Sequence, residues 1–257
     1  MATSSTVLPS RLPPTPDADA TSLLVCWQDP ETRTYHAVAL LGHARGEYVF
    51  KYLAAANTIS GFRPLLGFPD LGLTYRSPAL FPLFSERVLD PSRPDRPAML
   101  RALNLPEQAG PLEFLARSGG RRGGDTLEVL PVPTVGTDWR TACTFLVHGV
   151  RYQPGAEATL ARLTPGDQLH LEAEPTNPKD LRAVLVTSDG TPLGWVPNPL
   201  LDYVHVVLSQ AEPQVRVVRA NGPEVGHHMR LLVELSGTLP KGYMAPWASD
   251  LQGTGVE

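Results

Sequence analysis

The sequence predicts an α+β protein in two parts, a small α/β module over residues 21–130 and a mostly-β barrel over residues 142–236. Three observations carry that expectation. Short runs rich in Val, Leu, Tyr and Phe, bounded by turn residues, open the first part and recur through the second. Between them, residues 77–117 carry apolar side chains at helical spacings. A Pro-Val-Pro-Thr-Val-Gly stretch without periodicity follows at 131–136, so a linker is placed over 131–141.

In the first part, residues 23–28, 35–43 and 48–53 read as strands of a meander, with turns at Asp29-Pro30 and Arg45-Gly46. Residues 62–76 form a loop punctuated by Pro and Gly. Ser77 and Pro78 then suit the N-cap and first position of a helix, and Leu80, Phe81, Phe84, Val88 and Leu89 make its apolar stripe. Two shorter helices are expected over 97–105 and 111–117, and a strand over 126–130. In the second part, strands are expected over 143–152, 168–174, 183–187, 193–196, 214–220 and 229–236, with helices over 156–163 and 200–208. Strands so spaced suggest a small closed barrel or a barrel-like sandwich. Residues 1–20, dominated by Ser, Thr, Pro, Ala and Asp, read as a disordered tail, and residues 237–257 as a C-terminal tail.

Charge and composition narrow the function. No apolar run approaches the roughly 20 residues that span a bilayer, so a soluble, cytoplasmic protein is expected. The net charge is −4, and residues 145–210 carry 4 basic against 7 acidic side chains. Sequence-independent affinity for nucleic acid comes from cations that displace phosphate counterions, so any such site must be small and local. Cys26 and Cys143 stand far apart in apolar segments and read as core thiols. The histidines are scattered, and no nucleophile elbow, HExxH or phosphate loop is present. A non-enzymatic protein with no metal and no cofactor is expected.

Three segments gather unusual residues: Gly149-Val150-Arg151-Tyr152, then Glu174 to Asp180 with its Asn177-Pro178-Lys179-Asp180 turn, then Gly190 to Pro197 with Gly194-Trp195. Together they offer cations, two aromatic faces and side-chain acceptors. That set suits a single-stranded end, where a base stacks, a cation meets a phosphate and a carboxylate accepts from a sugar hydroxyl. The same residues also serve as ordinary turns and core packing. A glycine-rich loop at 119–125 presents Arg121 and Arg122, readable as a helix C-cap and connector or as an accessory phosphate contact.

Taken in order, residues 145–152, 169–174, Asn177-Pro178-Lys179-Asp180, 183–186 and 190–197 resemble a HIRAN domain over about residues 142–236. The resemblance implies a β-barrel related to OB folds, of a kind found alone in bacteria and at the N-termini of fork-remodelling helicases, where one binds the 3′-hydroxyl end of single-stranded DNA. Arg151 and Tyr152 match the family's Arg-Tyr pair, and Asn177 and Asp180 the first and last residues of its Asn-Pro-Tyr-Asp turn. By that analogy Tyr152 stacks and Asp180 accepts from the terminal hydroxyl. Lys179 stands where the family's turn usually has an aromatic, which exchanges a stacking face for a charge. In the first part, residues 48–53, 75–84 and 111–116 are similar to the N-terminal subdomain of HipA-type kinases, a packing and partner-contact unit without phosphotransfer residues. The expected nucleic-acid contacts are therefore Arg151, Tyr152, Asn177, Lys179, Asp180 and Trp195, and the expected partner is a single-stranded DNA end, in repair or genome maintenance. The alternative is an adaptor whose first part docks a kinase, helicase or nuclease.

Overall fold

The computed structural model describes residues 22–210 and 213–251, so the tail expected over 1–20 lies outside the described residues. Two antiparallel sheets form the framework. The first is built from β1 (Leu23–Gln28), β2 (Tyr35–Ala44), β3 (Glu47–Tyr52), β4 (Thr74–Ser77) and β5 (Leu127–Pro131), in the order β4-β3-β2-β1-β5. β1, flanked by β2 and β5, is buried on both faces, as alternation along a strand allows when each face has its own cover. Leu23 and Val25 join Phe50, Phe68, Phe84 and Leu115 in one core, whereas Leu24 and Cys26 point into a second core shared with the barrel.

Three short helices follow β4: α1 (Pro82–Ser85) and α3 (Pro111–Ser118) pack on the first sheet, and α2 (Arg96–Ala102) packs through Leu100 against Leu146, Met229 and Leu232 of the barrel side. In α3, Pro111 supplies the first position, Glu113 accepts from the Gly110 N–H at 2.7 Å, and Gly119 ends the helix at φ 73°. The long helix expected from Ser77 is not formed. Ser77 closes β4, and only the single turn α1 follows. Pro82 explains the difference, because it drives Phe81 out of the helical region to φ −55°, ψ 142°. Leu80, Phe81, Val88 and Leu89 still pack inward, but from irregular backbone.

The second sheet comprises β6 (Thr134–Val135), β7 (Arg140–Leu146), β8 (Gln168–Ala173), β9 (Val184–Ser188), β10 (Thr191–Trp195), β11 (Gln214–Ala220) and β12 (Leu231–Thr238), ordered β10-β9-β8-β11-β12-β7-β6. One bridge closes it into a barrel. Past the end of β7, the His148 N–H donates to Trp195 O at 2.9 Å and the Trp195 N–H to His148 O at 2.8 Å. The strand expected to run to Tyr152 therefore stops at Leu146, and Gly149 at φ 71° turns the chain into a 3-10 turn over Val150–Tyr152. Helices α4 (Ala156–Leu160) and α5 (Leu201–Leu208) pack on the barrel, and Tyr203, 1% exposed, anchors the second.

Both flanks of the barrel carry more structure than their composition suggests. Thr134 and Val135, inside the expected linker, pair with β7. Past β12, Leu239 and Trp247 enter the barrel core, and the described residues end in α6 (Ala248–Leu251) beside β3, where Lys51 Nζ donates to Asp250 O at 3.1 Å. Cys26 and Cys143 are both buried free thiols, and burial pushes the Cys143 thiol up to about 12. Among the described residues no helix is long and apolar enough to cross a membrane, and no cluster of His, Cys, Asp and Glu could hold a metal.

Candidate nucleic-acid interface

The closure of the barrel dictates glycine at two positions. Gly194 lies at φ 148°, and a Cβ there would sit 2.3 Å from the His148 carbonyl oxygen. On the facing segment, a Cβ on Gly149 would stand 2.6 Å from Cε3 and Cζ3 of Trp195 and 3.7 Å from Cδ2 of Tyr152. The indole therefore packs directly on the Gly149 backbone, and Tyr152 borders the same point. Sequence and geometry agree here: the Gly-Trp corner lets two backbones approach closely enough to join the barrel's ends.

Around this corner the polar residues form one network. Glu174, just beyond β8, accepts at Oε2 from Trp195 Nε1 at 2.7 Å and from Asn177 Nδ2 at 2.6 Å. Asn177 Oδ1 accepts in turn from the N–H groups of Lys179 (2.9 Å) and Asp180 (3.2 Å), which fixes the turn. Asp180 accepts at Oδ1 from the Arg182 N–H (2.8 Å) and at Oδ2 from Asn198 Nδ2 (2.5 Å). Tyr152 is 62% exposed. The Arg151 guanidinium lies 4.5 Å from its ring centroid and donates to its hydroxyl. Lys179 is exposed and makes no ion pair among the described residues.

The structure thus links Trp195, Asn177 and Asp180 through one braced turn, with Arg151, Tyr152 and Lys179 presented outward. Asn177 and the indole N–H are engaged inside the network, where they shape the site. Glu174 is the organising residue that the motif reading passed over. Its signal was available: a carboxylate three positions before Asn177 at the end of a strand.

Arg121 and Arg122 stand apart from that turn, each with internal partners. Arg122 pairs with Glu86 at 2.8 Å. Arg121 donates to the Tyr35 hydroxyl at 2.9 Å and lies 3.9 Å from Glu128, a residue of β5 that is only 2% exposed. Glu128 Oε1 meets His148 Nε2 at 2.8 Å, so a buried carboxylate of the first sheet is tied to the residue that closes the barrel. Burial raises the Glu128 carboxyl, but His148, Arg121 and His228 outweigh it and hold the group below the usual carboxylate range.

The family model for the HIRAN domain matches residues 141–200, from β7 through the closing strand β10 to Leu200. That stretch is similar to a HIRAN domain. Among solved structures, the chain is similar to a protein from Lactobacillus plantarum, 22% identical, over 39% of this chain and 99% of that one, with a TM-score of 0.31. It is similar also to the HIRAN domain of human HLTF, 18% identical, over 39% of this chain and 77% of that one, with a TM-score of 0.30. No curated protein matches the chain.

Proposed function

We propose that this protein binds nucleic acid without catalysing a reaction, holding the 3′-hydroxyl end of a single DNA strand at the closure corner of the barrel, in the service of genome maintenance. The observation that carries this reading is the exposed Tyr152 with Arg151 over its ring, set beside the braced turn that presents Lys179 and Asp180. A terminal base stacks on Tyr152, a contact worth about 1–3 kcal/mol. Arg151 and Lys179 meet the adjoining phosphates. Each Asp180 oxygen accepts one internal hydrogen bond and retains a lone pair for a sugar hydroxyl. The acidic balance of residues 145–210 repels longer stretches of strand and favours an end over an interior.

Fluorescence anisotropy with matched oligonucleotides ending in a 3′-hydroxyl or a 3′-phosphate tests the reading. Preference for the hydroxyl is expected; equal binding, or none, rejects end recognition. A second reading, in which the first part is a HipA-like unit that docks a protein, is favoured by Leu66 and Leu73, which are 86% and 54% exposed in the loop that leads into the edge strand β4. Co-purification of a stoichiometric protein partner with no affinity for DNA would select it.

A further inference from the structure

Where α2 of the first part meets β11 of the barrel there is an open cleft of about 350 Å³, lined by Arg101, Asn104, Leu105, Pro106 and Arg219. We propose that this cleft binds a phosphate group. It falls at the lower end of the 300–1,000 Å³ range of small-ligand sites, and it lies between two structural units, where such sites concentrate.

The lining holds two guanidinium groups and no carboxylate, in a chain whose net charge is −4. Arg101 is exposed, and its guanidinium makes no hydrogen bond or ion pair among the described residues. Arg219 has one weak internal contact, Nε to Asn221 Oδ1 at 3.3 Å, which leaves its terminal nitrogens for a ligand. Arginine's planar fork matches two phosphate oxygens at once. The C-terminal end of a helix ordinarily repels anions, because its last carbonyls are unpaired. Here they are all occupied. Met99 O accepts from Leu103, Leu100 O from Leu105, and Arg101 O from Asn104. Ala102 O accepts from Asn221 Nδ2 at 2.9 Å. Asn104, at φ 55°, is the left-handed residue that ends the helix, so its amide is held at the cleft by the backbone.

Asn221 also ties the cleft to the proposed strand-end site. Its second amide hydrogen goes to Met229 O at 2.7 Å, in the 3-10 turn His227–Met229 that packs against Val150–Tyr152. The buried Asn221 side chain thus joins the end of α2 behind the cleft to the turn packed against Val150–Tyr152. The phosphate belongs either to the backbone of a strand whose end lies at Tyr152, which rests on the reading above, or to a free phosphorylated molecule, which does not.

The test uses the full chain and Arg101→Gln, Arg219→Gln and the double variant, with equal thermal midpoints as the folding control. Arg101→Gln alone suffices if Arg219→Gln proves unstable, because Arg101 is exposed. In the first arm inorganic pyrophosphate is titrated calorimetrically. Each substitution should weaken binding roughly 10-fold or more, the usual loss for a charge-assisted contact. In the second arm, oligothymidylates of about 4 and about 16 nucleotides are bound across a salt series. If the phosphate comes from the strand, the longer oligonucleotide loses about 0.7 in log–log salt slope for each arginine removed, and the shorter one loses nothing. A response in the first arm alone assigns the cleft to a free phosphorylated ligand, and one in the second alone assigns it to the strand. No response in either arm overturns the proposal, whatever the fate of Tyr152.

Discussion

Replacing Gly194 by alanine tests the tightness of the barrel's closure, and with it the geometry of the whole candidate site. The backbone at φ 148° is all but closed to an L side chain, and holding alanine there costs about 1–3 kcal/mol. The new Cβ would stand 2.3 Å from the His148 carbonyl oxygen and 2.7 Å from Val147 Cγ1, and a backbone oxygen has nowhere to retreat except away from β10. Retreat breaks the two hydrogen bonds between His148 and Trp195, worth about 0.5–1.5 kcal/mol each. The central expectation is a loss of about 4 kcal/mol, or about 8–16 °C in thermal midpoint for a chain of this size. Gly190→Ala is the internal control. Gly190 also has positive φ, at 75°, but a Cβ there meets nothing within 4 Å, so only the backbone cost of about 1 kcal/mol applies. Thermal unfolding followed by near-ultraviolet circular dichroism compares the two. If Gly194→Ala costs no more than Gly190→Ala, the strands do not approach as described and the site has no rigid floor.

Tyr152→Ala should weaken binding of a single-stranded oligonucleotide by about 5- to 150-fold, the value of one stacked base, with an unchanged thermal midpoint, since the ring is 62% exposed; unaltered affinity in anisotropy would remove Tyr152 from the site. Glu128→Gln should destabilise the protein at neutral pH, because it removes the buried carboxylate that meets His148 Nε2 and faces the Arg121 guanidinium. The Glu128 carboxyl is held below its usual value, so its contribution is complete above about pH 4.3 and is lost as pH falls through the lower folded value. The gap between wild type and variant in thermal midpoint should therefore persist at about pH 5 and close in stronger acid; closure above that point would contradict the pairing. Trp247→Ala should cost about 3–5 kcal/mol, because the side chain is 4% exposed in the barrel core. An unshifted midpoint there would mean that the C-terminal stretch does not brace the barrel.

Most strands of both sheets were legible because their apolar runs are bounded by strong turn signals; β4, inside the expected loop over 62–76, and β6, inside the expected linker, are short and exposed and carry no such run. Asp189-Gly190, with φ of 47° and 75°, forms the hairpin turn between β9 and β10 that such a pair favours. The helix expected after Ser77 was misread because the spacing of Leu80, Phe81 and Phe84 was weighed without Pro82, whose ring governs the residue before it. The C-terminal stretch looked like a tail because average composition hides a single tryptophan. At the site, motif residues announced themselves by type. Their division into outward groups (Arg151, Tyr152, Lys179) and inward braces (Asn177, Trp195) did not, because it depends on Glu174, a glutamate whose two partners come from different turns. The His148–Glu128 contact was equally hidden, since it joins residues of separate sheets.

The apolar seam between the two sheets has a practical corollary. Leu24, Cys26, Leu40, Leu53 and Leu130 lie in the same cluster as Phe145, Leu193 and Val233, so cutting the chain between β5 and β7 would expose oil-like surface on both pieces. A truncated fragment begun near residue 140 would also leave the His148 imidazole without Glu128. Trimming this chain to its recognisable portion should yield aggregation in place of a miniature binder.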